Sequence, residues 1–231
     1  MRNETTASGT LTLVSTPIGN LGDMTIRGIE TLKNADAVLA EDTRHTRKLF
    51  THYAIKSRLE SFHDFNKERV TPGIIERLKR GEHLALVSDA GTPGISDPGF
   101  YLVRAALREG IRVTAVPGAN AILPALAVSG FPTDAFVFEG FLPRKAGELR
   151  RALESFAAER RTAVFFVPPH RLLKVLRAVN DALPGRRCAV VRELTKIHEE
   201  VSVGSAGELL EKYEGRTVKG EIVILVEGAH G

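Results

Sequence analysis

Short, nearly unbroken apolar runs alternate with helical periodicities along the chain. That alternation limits the fold more than any other feature of the sequence. Residues 10–16 (TLTLVST), 37–40 (AVLA), 83–88 (HLALVS) and 111–116 (IRVTAV) read as strands. Between them Ile26, Ile29 and Leu32, then Val70, Ile74, Ile75 and Leu78, then Leu102, Val103, Ala106 and Leu107 recur at helical spacing. Strands apolar on both sides, separated by one-sided helices, are what a mostly parallel sheet covered by helices demands. Gly81 suits the C-terminal end of one helix, Gly110 ends another, and Asp97-Pro98 read as N-cap and first helical residue of the helix between them. After Pro117-Gly118 the pattern resumes. A helix over 122–128 and a strand around 136–139 come first, then a basic helix over about 146–158 and a strand over 162–167. Leu172, Leu173, Leu176 and Val179 share a helical face, and 188–193 reads as a strand. Ser205 and Glu208 form a capping-box signature, and 221–227 (EIVILVE) is the last strand. The fold class is α/β, divided as a loose tail over 1–9, an N-terminal domain over 10–118 and a C-terminal domain over 119–231.

The 231 residues suffice for one large domain or two small ones and bury about 70% of the unfolded surface without a staple. The single cysteine, Cys188, rules out an intrachain disulfide and a cysteine-based zinc site, and it reads as a small core residue. No apolar run approaches the roughly 20 residues of a membrane span. The polar first nine residues lack a signal peptide's apolar stretch, so a cytoplasmic protein is expected. Lys plus Arg number 32 against 28 acids, a net charge of +4, which permits a nucleic-acid partner without requiring one.

Four segments could carry chemistry. Residues 15–23 (STPIGNLGD) follow the first strand. Their G-x-x-G spacing matches neither a dinucleotide fingerprint nor a phosphate loop, so a strand-to-helix turn and a ligand loop both stay open. Residues 88–99 (SDAGTPGISDPG) form a long punctuated loop where Asp89 could accept bonds from ligand hydroxyls, while Asp97 reads as a cap. Residues 117–121 (PGANA) open a third loop at the same kind of strand end, and three such loops at one sheet edge favour a ligand site. Residues 40–48 (AEDTRHTRK) and 192–200 (RELTKIHEE) mix acids and cations; a capped helix start and a polar strand are their structural readings. No His/carboxylate group has metal spacing, and no G-x-S-x-G elbow is present.

Taken in order, TPIGNLGD, AEDTRHT, SDAGTPGISDPG, VPGANA, EGFLPRK, PPHRLL and RELTKIHEE resemble the ribosomal RNA small subunit methyltransferase I family. That family lies within the tetrapyrrole-methylase-like superfamily of S-adenosylmethionine-dependent methyltransferases. The resemblance covers about residues 10–228. It implies two α/β domains of the tetrapyrrole methylase type with the cofactor in a cleft between them, and a homodimer. It also implies 2′-O-ribose methylation of a cytidine in the decoding centre of 16S rRNA within the small ribosomal subunit. By motif position the cofactor contacts fall on Pro17, Asp89, Ile95, Asn120, Ala121, Val167 and Leu194. Many members continue past the final strand into a small helical extension, whereas this sequence stops after EIVILVEG; RNA affinity, not cofactor binding, would depend on such a piece.

An activated methyl donor needs neither metal nor nucleophilic cysteine; it needs alignment with the acceptor oxygen and a group to take or share the acceptor's proton. Candidates for that group are His63, Glu41, Asp42 and Glu193, with Asp23 and Lys196 beside them. Three basic clusters suit phosphate: Arg44, Arg47 and Lys48; Arg144, Lys145, Arg150 and Arg151; and Arg171, Lys174 and Arg177. Of these, Arg44, Arg144, Lys145 and Arg171 are the expected substrate contacts. The rival readings are a carbon methylase of corrin-type rings, which the SDAGTPGISDPG and EDTRHT blocks oppose, and a noncatalytic RNA- or nucleotide-binding module. Binding of S-adenosylmethionine separates enzyme from module.

Overall fold

The computed structural model describes residues 8–229. They form two compact units, one ending at Asn120 and the other beginning at Ala121, two residues beyond the expected boundary. Most of the expected tail lies outside the described residues. Gly9 does not belong to a loose tail: its N–H donates to Leu78 O at 2.7 Å, and a Cβ there would run into the Glu82 carbonyl.

The first unit holds β1 (Thr10–Val14), α1 (Ile26–Asn34), β2 (Ala37–Ala40), α2 (Thr43–His52), β3 (Leu59–Ser61), α3 (Lys67–Lys79), β4 (Leu84–Val87), α4 (Gly99–Arg108) and β5 (Arg112–Val116). Its sheet runs β3-β2-β4-β1-β5, and every pairing is parallel. The strand period of two splits the core between the faces. Leu11, Ala37, Leu39, Leu84 and Leu86 pack with Ile74, Ile75 and Leu78 of α3 and Leu102 and Ala106 of α4. Val14, Val38, Ala40, Ala85 and Val87 pack with Leu32 of α1 and Leu49 and Phe50 of α2. β2 and β4, flanked on both sides, are buried at every position, which is why they read as unbroken apolar runs. β3 is too short and too polar to show a strand pattern, and its pairing with β2 defines it. Gly81 takes the left-handed conformation just past α3 that its position predicted. α4 begins one residue later than expected, at Gly99. Asp97 still serves it, accepting from Gly99 N at 2.7 Å and from Gly94 N at 2.8 Å.

The second unit holds α5 (Ile122–Ser129), β6 (Phe136–Phe141), α6 (Ala146–Glu154), β7 (Thr162–Val167), α7 (Leu172–Ala182), β8 (Arg187–Arg192), β9 (Glu200–Ser205), α8 (Ala206–Tyr213) and β10 (Ile222–Val226). The expectation of a mostly parallel sheet fails here. The order is β6-β7-β10-β8-β9; the β6–β7 pairing is parallel, and the other three are antiparallel. The last strand inserts between β7 and β8, and β8 and β9 form an antiparallel pair joined by the seven residues 193–199. Apolar runs report burial on both faces but not the direction of the neighbouring strand. Phe165, Cys188, Val190 and Ile224 pack on Leu149, Leu153, Leu172, Val175, Leu176, Val179, Leu209 and Tyr213. Ser205 and Glu208 make both halves of the capping box at the start of α8. Among the described residues no helix is long and apolar enough to cross a membrane.

Candidate functional site

Because the first sheet is wholly parallel, the loops after its five strands leave at one edge, the edge where open α/β sheets hold ligands. Three of these loops are stitched together. Thr16 N donates to Gly91 O at 2.9 Å, and Gly91 N returns a bond to Thr16 O at 3.0 Å. Thr16 Oγ1 donates to Ser88 O at 3.1 Å, and the Ser15 and Thr92 hydroxyls lie 3.0 Å apart. Gly91 sits at φ +82°, where an L side chain is strained, and its missing Cβ would lie 3.9 Å from the Asn120 Cα. Gly118, from the loop after β5, comes so close to Ser15 that a Cβ would sit 3.0 Å from that residue's own. Pro17, Asp89 and Asn120 therefore belong to one knot of backbone. Ile95 lies farther out on the same loop, half exposed, between Gly94 at φ +90° and Ser96 at φ +63°.

Asp89 is held by one oxygen. Its Oδ1 accepts from Asp42 N at 2.9 Å, which ties the loop after β4 to the one after β2. Its Oδ2 takes no hydrogen bond from any described residue, so it can accept from a ligand hydroxyl.

The candidate bases separate by what each already does. Asp42 caps α2, accepting from Arg44 N at 2.8 Å, and pairs with the Arg44 side chain at 3.2 Å. Those bonds hold its carboxyl down at about 2, so it keeps no appetite for a proton at neutral pH. Arg44, in turn, is engaged by that carboxylate. Glu41 is the opposite case: burial first, then the charges of Asp89, Asp97 and Asp64, push its carboxyl up, while His63 opposes them. His63 belongs to the loop after β3, and its Nδ1 is buried without a partner among the described residues. The Oδ2 of Asp23 is likewise buried and unpartnered.

In the second unit, Ala121 opens α5, Val167 ends β7 buried, and Leu194 is buried in the turn between β8 and β9. Glu193 in that turn is a structural clasp. Its Oε1 accepts from Lys196 Nζ at 2.7 Å and from Glu221 N at 3.0 Å, and Lys196 also reaches Glu221 at 3.0 Å. Glu193 and Thr195 both adopt positive φ, and Gly220 sits at φ +90°, where an L side chain is strained and a Cβ would also displace the Glu193 carboxylate, 2.1 Å away. The polar-strand reading of 192–200 is thus replaced by a clasped turn, and the side chains of Asp42 and Glu193 are committed to structure.

Arg171 is corrected as well. It is buried, and its guanidinium donates to Leu142 O at 2.8 Å and to Pro143 O. Lys174 donates to Arg144 O at 2.9 Å. Both cations fasten the turn before α6 rather than facing phosphate. The side chain of Arg144 stands exposed on that turn, and Lys145 is exposed beside Glu148 at 3.3 Å. Among the described residues no group of three or more His, Cys, Asp or Glu is placed to hold a metal ion. A groove of about 480 Å³ lined by Thr10, Thr12, Arg27, His83, Arg112 and Thr114 lies toward the starts of β1, β4 and β5, away from the loops described above. Sequence reasoning passed over the ring of Phe65 in the SFHDFN segment; its signal is an aromatic residue set among polar ones in a short loop.

Residues 10–210 match the family described as Tetrapyrrole (Corrin/Porphyrin) Methylases. The chain is 48% identical over 220 residues to ribosomal RNA small subunit methyltransferase I of Halalkalibacterium halodurans, covering 95% of this chain and 76% of that protein. It is 46% identical to the protein of the same name from Thermotoga maritima, covering 95% of this chain and 99% of that one. The Escherichia coli O157:H7 protein of that name is 45% identical, over 96% and 79%. Among solved structures, diphthine synthase aligns with a TM-score of 0.71 at 17% identity, covering 95% of this chain and 90% of that one. The uroporphyrin-III-C-methyltransferase of Thermus thermophilus aligns with a TM-score of 0.65 at 20% identity, covering 95% and 94%. At those identities the structures show a shared fold.

Proposed function

Because the chain belongs to the tetrapyrrole (corrin/porphyrin) methylase family, and within it to the ribosomal RNA small subunit methyltransferase I family, we propose that it methylates small-subunit ribosomal RNA at the expense of S-adenosylmethionine. The observation that carries the reading is identity of 45–48% over some 95% of the chain to relatives of that one name. In its finer form, the acceptor is the ribose 2′-oxygen of a cytidine in the decoding centre of 16S rRNA. The protein acts as a cytoplasmic homodimer on the small ribosomal subunit.

Bound S-adenosylmethionine supplies a methyl group already activated on a sulfonium. The residues present fit it. The open Oδ2 of Asp89 is an acceptor for ribose hydroxyls, fixed by the bond its other oxygen takes from Asp42 N. Pro17, Ile95 and Asn120 in the first unit, and Ala121, Val167 and Leu194 in the second, are the further contacts we assign to it. The protein's own chemical task is the acceptor proton. As the oxygen gains carbon it must lose hydrogen, and a ribose hydroxyl is too weak an acid to do so unaided. Glu41 is the best-suited carboxylate, since its environment raises its proton affinity while Asp42 and Glu193 are engaged elsewhere. His63, close enough to act on the Glu41 carboxyl, is the second candidate to share that proton. Alignment of donor and acceptor provides the rest of the acceleration. Exposed Arg144 and Lys145 contact phosphate.

The test is methyl transfer to small subunits lacking the modification, followed by mapping. Replacement of the target by 2′-deoxycytidine should abolish transfer. Retained transfer would move the acceptor to a base atom and refute the ribose assignment.

A further inference from the structure

Phe65 is 99% exposed, in a loop built not to move. The loop starts at Phe62, buried at 1% exposure, whose N–H donates to Ala40 O at 2.8 Å. It closes at Asn66, 8% exposed. The Asn66 Oδ1 accepts from His63 N at 2.9 Å, its Nδ2 donates to Ser61 O at 3.0 Å, and its N–H donates to His63 O at 3.0 Å. Lys67 Nζ holds Asp64 at 2.7 Å across the loop's far side. Between these anchors Asp64 and Phe65 are exposed and His63 is half-buried. The His63 and Phe65 rings meet edge to face with centroids 6.1 Å apart, and at 99% exposure Phe65 stays open to solvent. A phenyl ring in water adds nothing to the core, and this one stands on an anchored loop at the ligand edge of the sheet, where it is free to meet a partner.

The surroundings narrow that partner. Asp64 precedes the ring and Asn66, Lys67, Glu68 and Arg69 follow it, so its neighbours in sequence are polar or charged. The loop leaves the same sheet edge as Asp89 and Glu41, on a strand adjacent to β2. Asp64 beside the ring is paired with Lys67, and carboxylates such as Glu41 and Asp89 at the same sheet edge can accept from the exocyclic amine of a base such as cytosine. A flat exposed ring at an edge that carries such carboxylates fits an unstacked nucleobase, the form in which single RNA nucleotides are read.

We propose that Phe65 is a positioning residue that stacks on a base of the RNA held out of its helix, at or beside the methylated nucleotide. The proposal rests on the methyl-transfer reading above. Its test uses the whole protein with unmodified small subunits and compares Phe65→Ala with Phe65→Trp. Phe65→Ala should raise KM for the subunits by roughly 5- to 150-fold, the range found when a base-stacking ring is truncated. It should leave the dissociation constant for S-adenosylmethionine, measured by calorimetry, within about twofold, and Phe65→Trp should restore KM. An unchanged KM in Phe65→Ala, in an assay where the wild type transfers methyl, overturns the stacking role and leaves the enzyme reading standing. A wild type that transfers no methyl to any small-subunit RNA overturns both, before any variant is made. A shift of Phe65→Ala to a smaller species in sedimentation would assign the ring to a contact between copies and likewise overturn the proposal.

Discussion

Replacing Arg171 by Met decides between a phosphate contact and a structural tether. Methionine keeps most of the buried stem and removes the guanidinium. Two hydrogen bonds from a charged donor then vanish, one to Leu142 O at 2.8 Å and one to Pro143 O. Each such bond contributes about 1.5–3 kcal/mol. Leu142 is buried and its carbonyl has no easy water, whereas Pro143 is half-buried and recovers part of its loss from solvent. The net destabilisation should be about 2–4 kcal/mol, which lowers the unfolding transition of the 231-residue chain by about 4–16 °C if it unfolds as one unit. Arg144→Ala is the control. That side chain is exposed and should change stability by no more than about 0.5 kcal/mol. It should instead flatten the salt dependence of RNA binding by a slope of about 0.7–0.9. The assays are a thermal scan by circular dichroism and RNA binding titrated at several salt concentrations. An Arg171→Met variant with an unchanged transition and a flattened salt slope would refute the tether argument.

Three further outcomes are expected. Glu41 has a folded pKa above its ordinary value of 4.5, so its contribution to stability is full below that value and is lost as pH rises through the raised one. Glu41→Gln should therefore gain stability relative to wild type between mildly acidic and neutral pH and match it in acid, by denaturant titrations across pH, while losing methyl transfer; a constant difference at all pH values would contradict this. Gly220→Ala should destabilise the protein and open the β8–β9 turn, because φ is +90° and the new Cβ lands on Glu193 Oε1; hydrogen exchange at Glu193 N and Glu221 N reads this, and wild-type protection at both would refute it. Burial pushes the Cys188 thiol up to about 12, so a thiol reagent at neutral pH should label it only at the rate of unfolding; prompt labelling of the native protein would show the strand to be exposed.

The sequence by itself determined the α/β class, most element positions and the grouping of three loops at strand ends. Two-sided burial of β2 and β4 and one-sided burial of the helices are written directly in residue order. It also carried the family, through glycine- and proline-marked loops whose backbone shapes few other residues adopt. What it could not determine is what meets across long separations. Nothing local tells that β10 enters between β7 and β8 antiparallel to both, since an apolar run is equally content beside either direction of neighbour. Nor does residue type reveal occupation. Asp42, Glu41 and Glu193 are three acids in two similar motifs; packing makes the first a cap, the second a carboxylate with raised proton affinity and the third a clasp. Arg171 and Arg144 are both arginines in basic segments, yet one guanidinium is closed over by backbone carbonyls and the other is left in water. A side chain's chemistry is fixed by its partners, and partners 28 or 29 residues away, as for Arg171, are chosen by the tertiary fold.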